Sequence, residues 1–242
     1  MNDNSWLNRT HLLIGDAALH KLSKAHVMVV GLGGVGSYAA EFIARSGVGT
    51  MTIVDGDVVE ESNRNRQLLA LQTTMGKNKA LLMAERLRDI NSDIKLHIVQ
   101  DFIQPDMVEN LLSLNPDHIL DAIDSVTPKI TFLVQAYHQQ LPLVSCMGAG
   151  GKMDPLQIRI ADISKTHSCP FAQEIRKQLK MRHQIRTGIK TVFSPEIPPK
   201  ESLVLTEGSR YKKSSYGTIS YMPAAMGGVA ASEVIKDLIK ER

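Results

Sequence analysis

The stretch from Val27 to Ser37 reads VMVVGLGGVGS, an apolar run broken by Gly31, Gly33, Gly34 and Gly36. A short β-branched run followed by closely spaced glycines suits a strand that turns sharply into a helix. The small residues stand where backbone and helix must come close. Such a turn presents backbone N–H groups at a helix N-terminus, which favour a phosphate. A tight strand-to-helix turn with no ligand obeys the same spacing, so the glycines alone leave the function open.

The residues around this turn alternate strand and helix patterns. A helical stretch over His11 to Leu22 precedes the strand Val27 to Val30, and Gly36 to Ser46 has apolar residues at helical spacing. Met51 to Val54, Leu96 to Val99, His118 to Ile123 and Leu143 to Met147 read as strands. Lys79 to Ile90, Met107 to Leu114 and Pro128 to Gln140 read as the helices between them. This order predicts an α/β, Rossmann-like, doubly wound and mainly parallel sheet with helices on both faces. Its ligand should lie beyond the carboxyl ends of the strands. Another alternating stretch covers Gln157 to Ile163, and the pattern then dissolves into basic, proline-containing sequence. A strand and a closing helix rich in small residues follow from GTISYMPAAMGGVAASEV onward. The expected organisation is one domain over residues 1–242, carrying a basic, partly flexible insertion at 165–215.

Charge and cysteine usage narrow the setting. Residues 1–164 hold 14 Lys/Arg against 18 Asp/Glu, while residues 165–215 hold 11 against 4. Such asymmetry suits a polyanionic partner for the later segment, and equally a solvated surface. Cys146 and Cys169 are the two cysteines, and no Cys-x-x-Cys pair is present. Neither a disulfide framework nor a thiolate zinc site can be built from them. The first residues lack the charged start, apolar core and cleavage site of a signal peptide. The late apolar run around Pro223 is too short and broken to cross a bilayer. A cytoplasmic protein is expected.

Three further groups bear on the ligand. Asp55 follows Gly36 by 19 residues and ends the second strand, where an acid can accept hydrogen bonds from ribose hydroxyls. This fits NAD and ATP alike. ESNRNRQ then places Asn63, Arg64 and Arg66 just beyond, and GKNKA brings Lys77 and Lys79 to the next helix. Extra fixed cations suit a triphosphate better than a pyrophosphate held by backbone and helix dipole. Finally, LDAIDSVTPK sets Asp121 and Asp124 near the end of the fourth strand, ahead of a helix capped by Ser125 or Thr127. A carboxylate there can hold Mg²⁺ against phosphate oxygens, and Asp124 is the nearer to the strand's mouth. Asp121 suits a structural role, tying down a neighbouring loop.

GLGGVGS, the Asp55-Gly-Asp57 pair, SNRNRQ, GKNKA and DAIDS, in this order, resemble the adenylating domain of ubiquitin-activating enzymes and bacterial sulfur-carrier adenylyltransferases. The resemblance implies carboxylate adenylation with ATP and Mg²⁺. Gly31, Gly33, Gly34 and Gly36 would then form the nucleotide turn, and Asp55 would bind ribose. Asn63, Arg66 and Lys79 would attend the phosphates, and Asp124 the metal. Arg9, in NRTHLLIG, matches an arginine that reaches the partner subunit's phosphates, so a homodimer is implied. On this resemblance Arg9, Arg66, Lys79 and Asp124 are the catalytic set.

GAGGKMDPLQIRIADISKTHSCPFAQEIRK, VFSPE and YGTISYMPA resemble more closely the tRNA threonylcarbamoyladenosine dehydratase branch. The double Cys-x-x-Cys of the sulfur-carrier members is absent. That branch implies a tRNA carrying threonylcarbamoyladenosine as substrate, cyclised with ATP beside the anticodon, and admits sulfur-transfer partner proteins. The alternative is an adenylyltransferase for a ubiquitin-like sulfur carrier. A nicotinamide-binding oxidoreductase or a nucleotide sensor would use the same glycine turn. Cys169, in THSCPFA, lies where ubiquitin-like activators keep a thioester cysteine. It reads first as structural, because the sequence offers no basic activator beyond His167. Cys146 reads as a buried strand residue.

Overall fold

The computed structural model describes residues 5–205 and 214–240. Helix α1 (Asn8–Lys24), bent at Gly15, leads into strand β1 (His26–Val30). After the glycine turn come α2 (Gly36–Arg45), β2 (Thr50–Val54), α3 (Lys79–Ile90) and β3 (Lys95–Val99). The second half contains α4 (Pro105–Leu112), β4 (His118–Asp121), α5 (Val126–His138), β5 (Leu143–Cys146) and β6 (Arg159–Asp162). Then follow α6 (Pro170–His183), β7 (Lys190–Phe193), a hairpin of β8 (Leu203–Leu205) with β9 (Ser214–Tyr216), and α7 (Tyr221–Ile239).

The main sheet has the order β3-β2-β1-β4-β5-β7-β6, parallel except for the antiparallel edge strand β6. Strand β1 explains the two-layer packing in miniature. Val27 and Val29 join the core under α2, α3 and α7, whereas Met28 and Val30 join the core under α4, α5 and α6. Successive strand side chains point to opposite faces, so an unbroken apolar strand must be covered on both. The order reverses at β1, between β2 and β4. A crevice therefore opens beyond the carboxyl ends of these strands.

The basic stretch requires a correction. Over residues 165–205 it is built into the fold, and residues 206–213 lie outside the described residues. Ala172, Ile175 and Leu179 are buried on one face of α6, and β7 is an inner strand with Thr191, Val192 and Phe193 buried. The apolar spacing of α6 is helical, but its dense exposed charge obscures it, and the run in β7 is too brief to stand out. The excess charge remains on the outside: Lys177, Lys180 and Arg182 are exposed.

Candidate nucleotide-binding site

The turn after β1 is fixed by close backbone contacts. Gly31 has φ of +90°, and a Cβ there would meet the Ala122 carbonyl oxygen at 2.8 Å. A Cβ on Gly36 would overlap the Gly31 carbonyl oxygen, so α2 can start against β1 only if this residue is glycine. Gly34 faces Pro223 of α7 and the carbonyl of Arg66, and Gly33 faces the Gln67 side chain. The turn is thus brought together with the ESNRNRQ segment and the start of α7.

Asp55 follows β2 and closes the same crevice. Its Oδ2 accepts a hydrogen bond from Leu32 N–H at 2.6 Å, and its Oδ1 accepts one from Asp57 N–H at 2.8 Å. Burial pushes the Asp55 carboxyl above its ordinary value, against the pull of the Lys79 ammonium and the two amides. Lys79 itself is almost fully covered and pairs with Asp57 Oδ2 at 3.0 Å. Its ammonium is therefore already anchored beside the expected ribose acid, between strand end and helix start.

Asn63 is buried, with Oδ1 accepting from Glu60 N–H at 3.1 Å and Nδ2 donating to Ser62 Oγ at 3.3 Å. Arg66 donates to Ser62 O at 2.8 Å and to Asn65 Oδ1 at 2.9 Å. Asn65 in turn donates to Thr218 O at 2.9 Å. These bonds hold the segment in a compact loop and orient the Arg66 guanidinium. Gln67 is a residue the sequence reading passed over. Its Oε1 is buried without a hydrogen-bond partner in the described structure, while its amide faces Gly33. Its place beside Arg66 in the motif was the available signal.

Asp121 and Asp124 separate in role. Asp121 is fully buried as the last residue of β4. It accepts from Ser145 Oγ at 2.7 Å and from Ile123 N–H at 3.0 Å, and it pairs with Lys129 at 2.7 Å. Asp124 lies beyond the strand on the exposed loop, and Ser125 Oγ donates to its Oδ1 at 3.3 Å. Ser125 does occupy the N-cap of α5, but its hydroxyl makes no capping bond, because it is turned to Asp124. One carboxylate on such a loop suits Mg²⁺, which takes one or two carboxylates and fills its remaining positions with phosphate oxygens and water. Among the described residues, no group of three or more His, Cys, Asp or Glu side chains could hold a metal by itself.

Arg9 is not brought to this crevice. It is exposed in the first turn of α1, two residues after Leu7, which packs against Gly47 at the amino end of β2. A five-residue strand separates that end from the glycine turn by about 16 Å. The start of α1 that carries Arg9 is therefore anchored at the end of the sheet opposite the nucleotide crevice of its own chain.

The two cysteines are both buried. Burial pushes the Cys146 thiol up to about 12. Cys169 stands at the N-cap of α6 without a side-chain bond, and the buried Lys152 lies near it. Burial pulls the Lys152 ammonium below its ordinary value, with Cys169 and Glu196 acting in the opposite direction. This lysine, in GAGGKMDP, is a basic neighbour that only the tertiary structure brings to the thiol.

Known proteins share the sequence and the fold of this chain. The sequence profile of the ThiF family matches residues 7–242. The tRNA threonylcarbamoyladenosine dehydratase of Escherichia coli K12 is 37% identical over 98% of this chain and 95% of its own length. The Bacillus subtilis dehydratase of the same name is 36% identical over 97% and 94%. The E. coli enzyme in complex with ATP superposes with a TM-score of 0.88, covering 98% of this chain and 96% of that one. E. coli MccB, at 18% identity and a TM-score of 0.66, shares the fold. The chain belongs to the ThiF family, in its tRNA threonylcarbamoyladenosine dehydratase branch.

Proposed function

We propose that this protein uses ATP to activate the carboxylate of threonylcarbamoyladenosine in tRNA and then closes it into a ring, releasing AMP. One observation carries the reading: a dehydratase whose structure holds ATP covers 98% of this chain at 37% identity. The crevice is consistent with it, because the glycine turn, Asp55, Lys79 and Arg66 converge there with the loop bearing Asp124.

A carboxylate does not expel hydroxide in neutral water. Attack of its oxygen on the α-phosphorus of ATP displaces pyrophosphate and leaves an acyl adenylate, whose AMP is a good leaving group. Attack by the carbamoyl group of the same substrate then closes the ring and expels AMP, which carries away the carboxylate oxygen. Ring closure is intramolecular, so its effective molarity is high and no enzyme nucleophile is needed. The reading asks the turn amides of residues 31–36 to seat the phosphates and Asp55 to accept from the ribose hydroxyls. Arg66, Lys79 and Asn63 position the triphosphate and stabilise charge at phosphorus. Mg²⁺, held by Asp124, would neutralise charge on the phosphate oxygens. Arg9 of a second copy would complete the site, which makes the active form a homodimer. The exposed cations of α6 supply a field for the tRNA backbone. A cytoplasmic setting with sulfur-transfer proteins among its partners belongs to the same reading. No helix among the described residues is long and apolar enough to cross a membrane.

The test is to incubate the protein with ATP, Mg²⁺ and tRNA that does or does not carry threonylcarbamoyladenosine. AMP release that requires the modified tRNA, with loss of 18 mass units from the modified nucleoside, is the expected result. AMP release that depends on a ubiquitin-like carrier instead would overturn it.

A further inference from the structure

Lys129 is among the largest fully buried side chains in the protein, and it lies directly beneath the loop that carries Asp124. Its ammonium is held by three oxygens. It pairs with Asp121 at 2.7 Å, donates to Ile123 O at 3.1 Å and donates to Cys146 O at 2.9 Å. Asp121 completes the arrangement from the other side, accepting from Ile123 N–H and from Ser145 Oγ. The peptide groups flanking Ile123 are thus held through both an N–H and a carbonyl by one buried ion pair. Asp124 is the next residue. The same ammonium stands 5.7 Å from the centroid of the Phe171 ring, in the first turn of α6.

An ion pair is costly to bury, and apolar residues of similar volume would commonly stabilise a core as well or better. A lysine whose ammonium ties two strand ends to one loop is therefore poorly explained by stability. We propose that Lys129, oriented by Asp121, is the positioning residue that fixes the 122–124 loop so that the Asp124 carboxylate meets the metal of the bound nucleotide. The inference rests on the role given to Asp124 above. Groups that orient a metal ligand from behind typically alter metal affinity or activity 10- to 100-fold when removed. The contact with Phe171 makes α6, the helix bearing the exposed cations, a wall of the same small volume.

The test measures Mg²⁺ dependence of nucleotide binding, separately from turnover. ATP analogue with a non-cleavable α,β-linkage is titrated calorimetrically into the full-length protein over a series of Mg²⁺ concentrations. The Asp124→Ala variant comes first: loss of the Mg²⁺-dependent part of binding establishes the underlying reading, and its retention overturns both that reading and the positioning role. The paired variant Asp121→Asn/Lys129→Met then removes both buried charges while keeping volume and the Asn acceptor for Ile123 N–H, so folding should be retained. Half-saturation by Mg²⁺ should rise at least about 10-fold, with Mg²⁺-free nucleotide affinity unchanged. Lys129→Arg in a chain with native Asp121, keeping a buried donor, should recover part of that loss. A paired variant with native melting temperature and native Mg²⁺ half-saturation overturns the proposal while leaving the role of Asp124 intact. Equal losses of nucleotide affinity with and without Mg²⁺ would also overturn it, as they would mark a general structural role.

Discussion

The Asp55 carboxylate is bound to the glycine turn itself: its Oδ2 lies 2.6 Å from the backbone nitrogen of Leu32, a residue 23 positions earlier in the chain. The acid proposed for ribose recognition thus also fixes the conformation of the glycine turn, by a bond between the ends of β1 and β2. Asp55→Ala should weaken ATP binding by about 1–3 kcal/mol, the cost of leaving such a buried donor unpaired together with the lost ribose contact. Calorimetric titration with ATP checks this, and a native dissociation constant would show that the turn had been given the wrong ligand.

Asp124→Ala should abolish Mg²⁺-dependent AMP formation while shifting the melting temperature little. The residue is exposed on a loop, where substitutions usually change stability by less than about 0.5 kcal/mol. Turnover assays beside thermal melts decide it, and native turnover would remove Asp124 from the machinery.

The start of α1 that carries Arg9 is anchored at the end of the sheet opposite its own crevice, so action of Arg9 on nucleotide is expected to cross to another copy. Arg9→Ala protein should be inactive alone, as should Asp124→Ala protein. Mixing the two with confirmed subunit exchange should restore activity, because one site in each heterodimer then joins an intact Asp124 to an intact Arg9. Absence of recovery would confine Arg9 to a role within its own chain.

Neutralising Lys177, Lys180 and Arg182 together should weaken tRNA binding and flatten its salt dependence. Each lost phosphate contact should lower the slope of log K against log salt by roughly 0.7–0.9. These side chains sit on the exposed face of α6, so ATP affinity should hold. Lys180 and Arg182 also lie in the last helical turn and complement its dipole, hence a small loss of stability is expected. Native tRNA affinity and slope would return this face to an ordinary solvated surface.

At the opposite end of the sheet, a charge cluster links β4 and β7 to α7. Lys190 pairs with Glu233 at 2.7 Å and with Asp237 at 2.6 Å, and His118 Nε2 lies 3.2 Å from Asp237 Oδ2. Burial pulls His118 below its ordinary value, although its bond to Asp237 acts the other way. Burial would raise Asp237, but its bonds from Lys190, Lys240 and His118 outweigh this and hold it well below the usual carboxylate range. A depressed histidine pKa means that the unfolded chain takes up the proton first, so stability should fall as pH drops below about 6.5. The Asp237 contribution is present above its unfolded value and is lost only in stronger acid, as pH falls toward its depressed folded pKa. Denaturant melts at a series of pH values should show the first decline reduced in His118→Gln, and an unchanged profile would exclude His118 as its source.

The sequence by itself determined the α/β alternation, the glycine turn and the placing of Asp55, because these rest on short-range rules of periodicity and backbone geometry. It also assigned Asp121 and Asp124 different roles, although the strand it marked out from His118 to Ile123 runs two residues past the observed end at Asp121. The incorporation of residues 165–205 was decided by tertiary structure. Only a neighbouring strand on each side turns the short run of β7 into an inner member of the sheet, and only a core beneath α6 gives meaning to Ala172, Ile175 and Leu179. The pairing of Lys129 with Asp121, the partnerless oxygen of Gln67 and the nearness of Lys152 to Cys169 likewise join positions that no local pattern relates. Charge and burial at a site are properties of the packed neighbourhood, and the linear spacing of residues does not contain them.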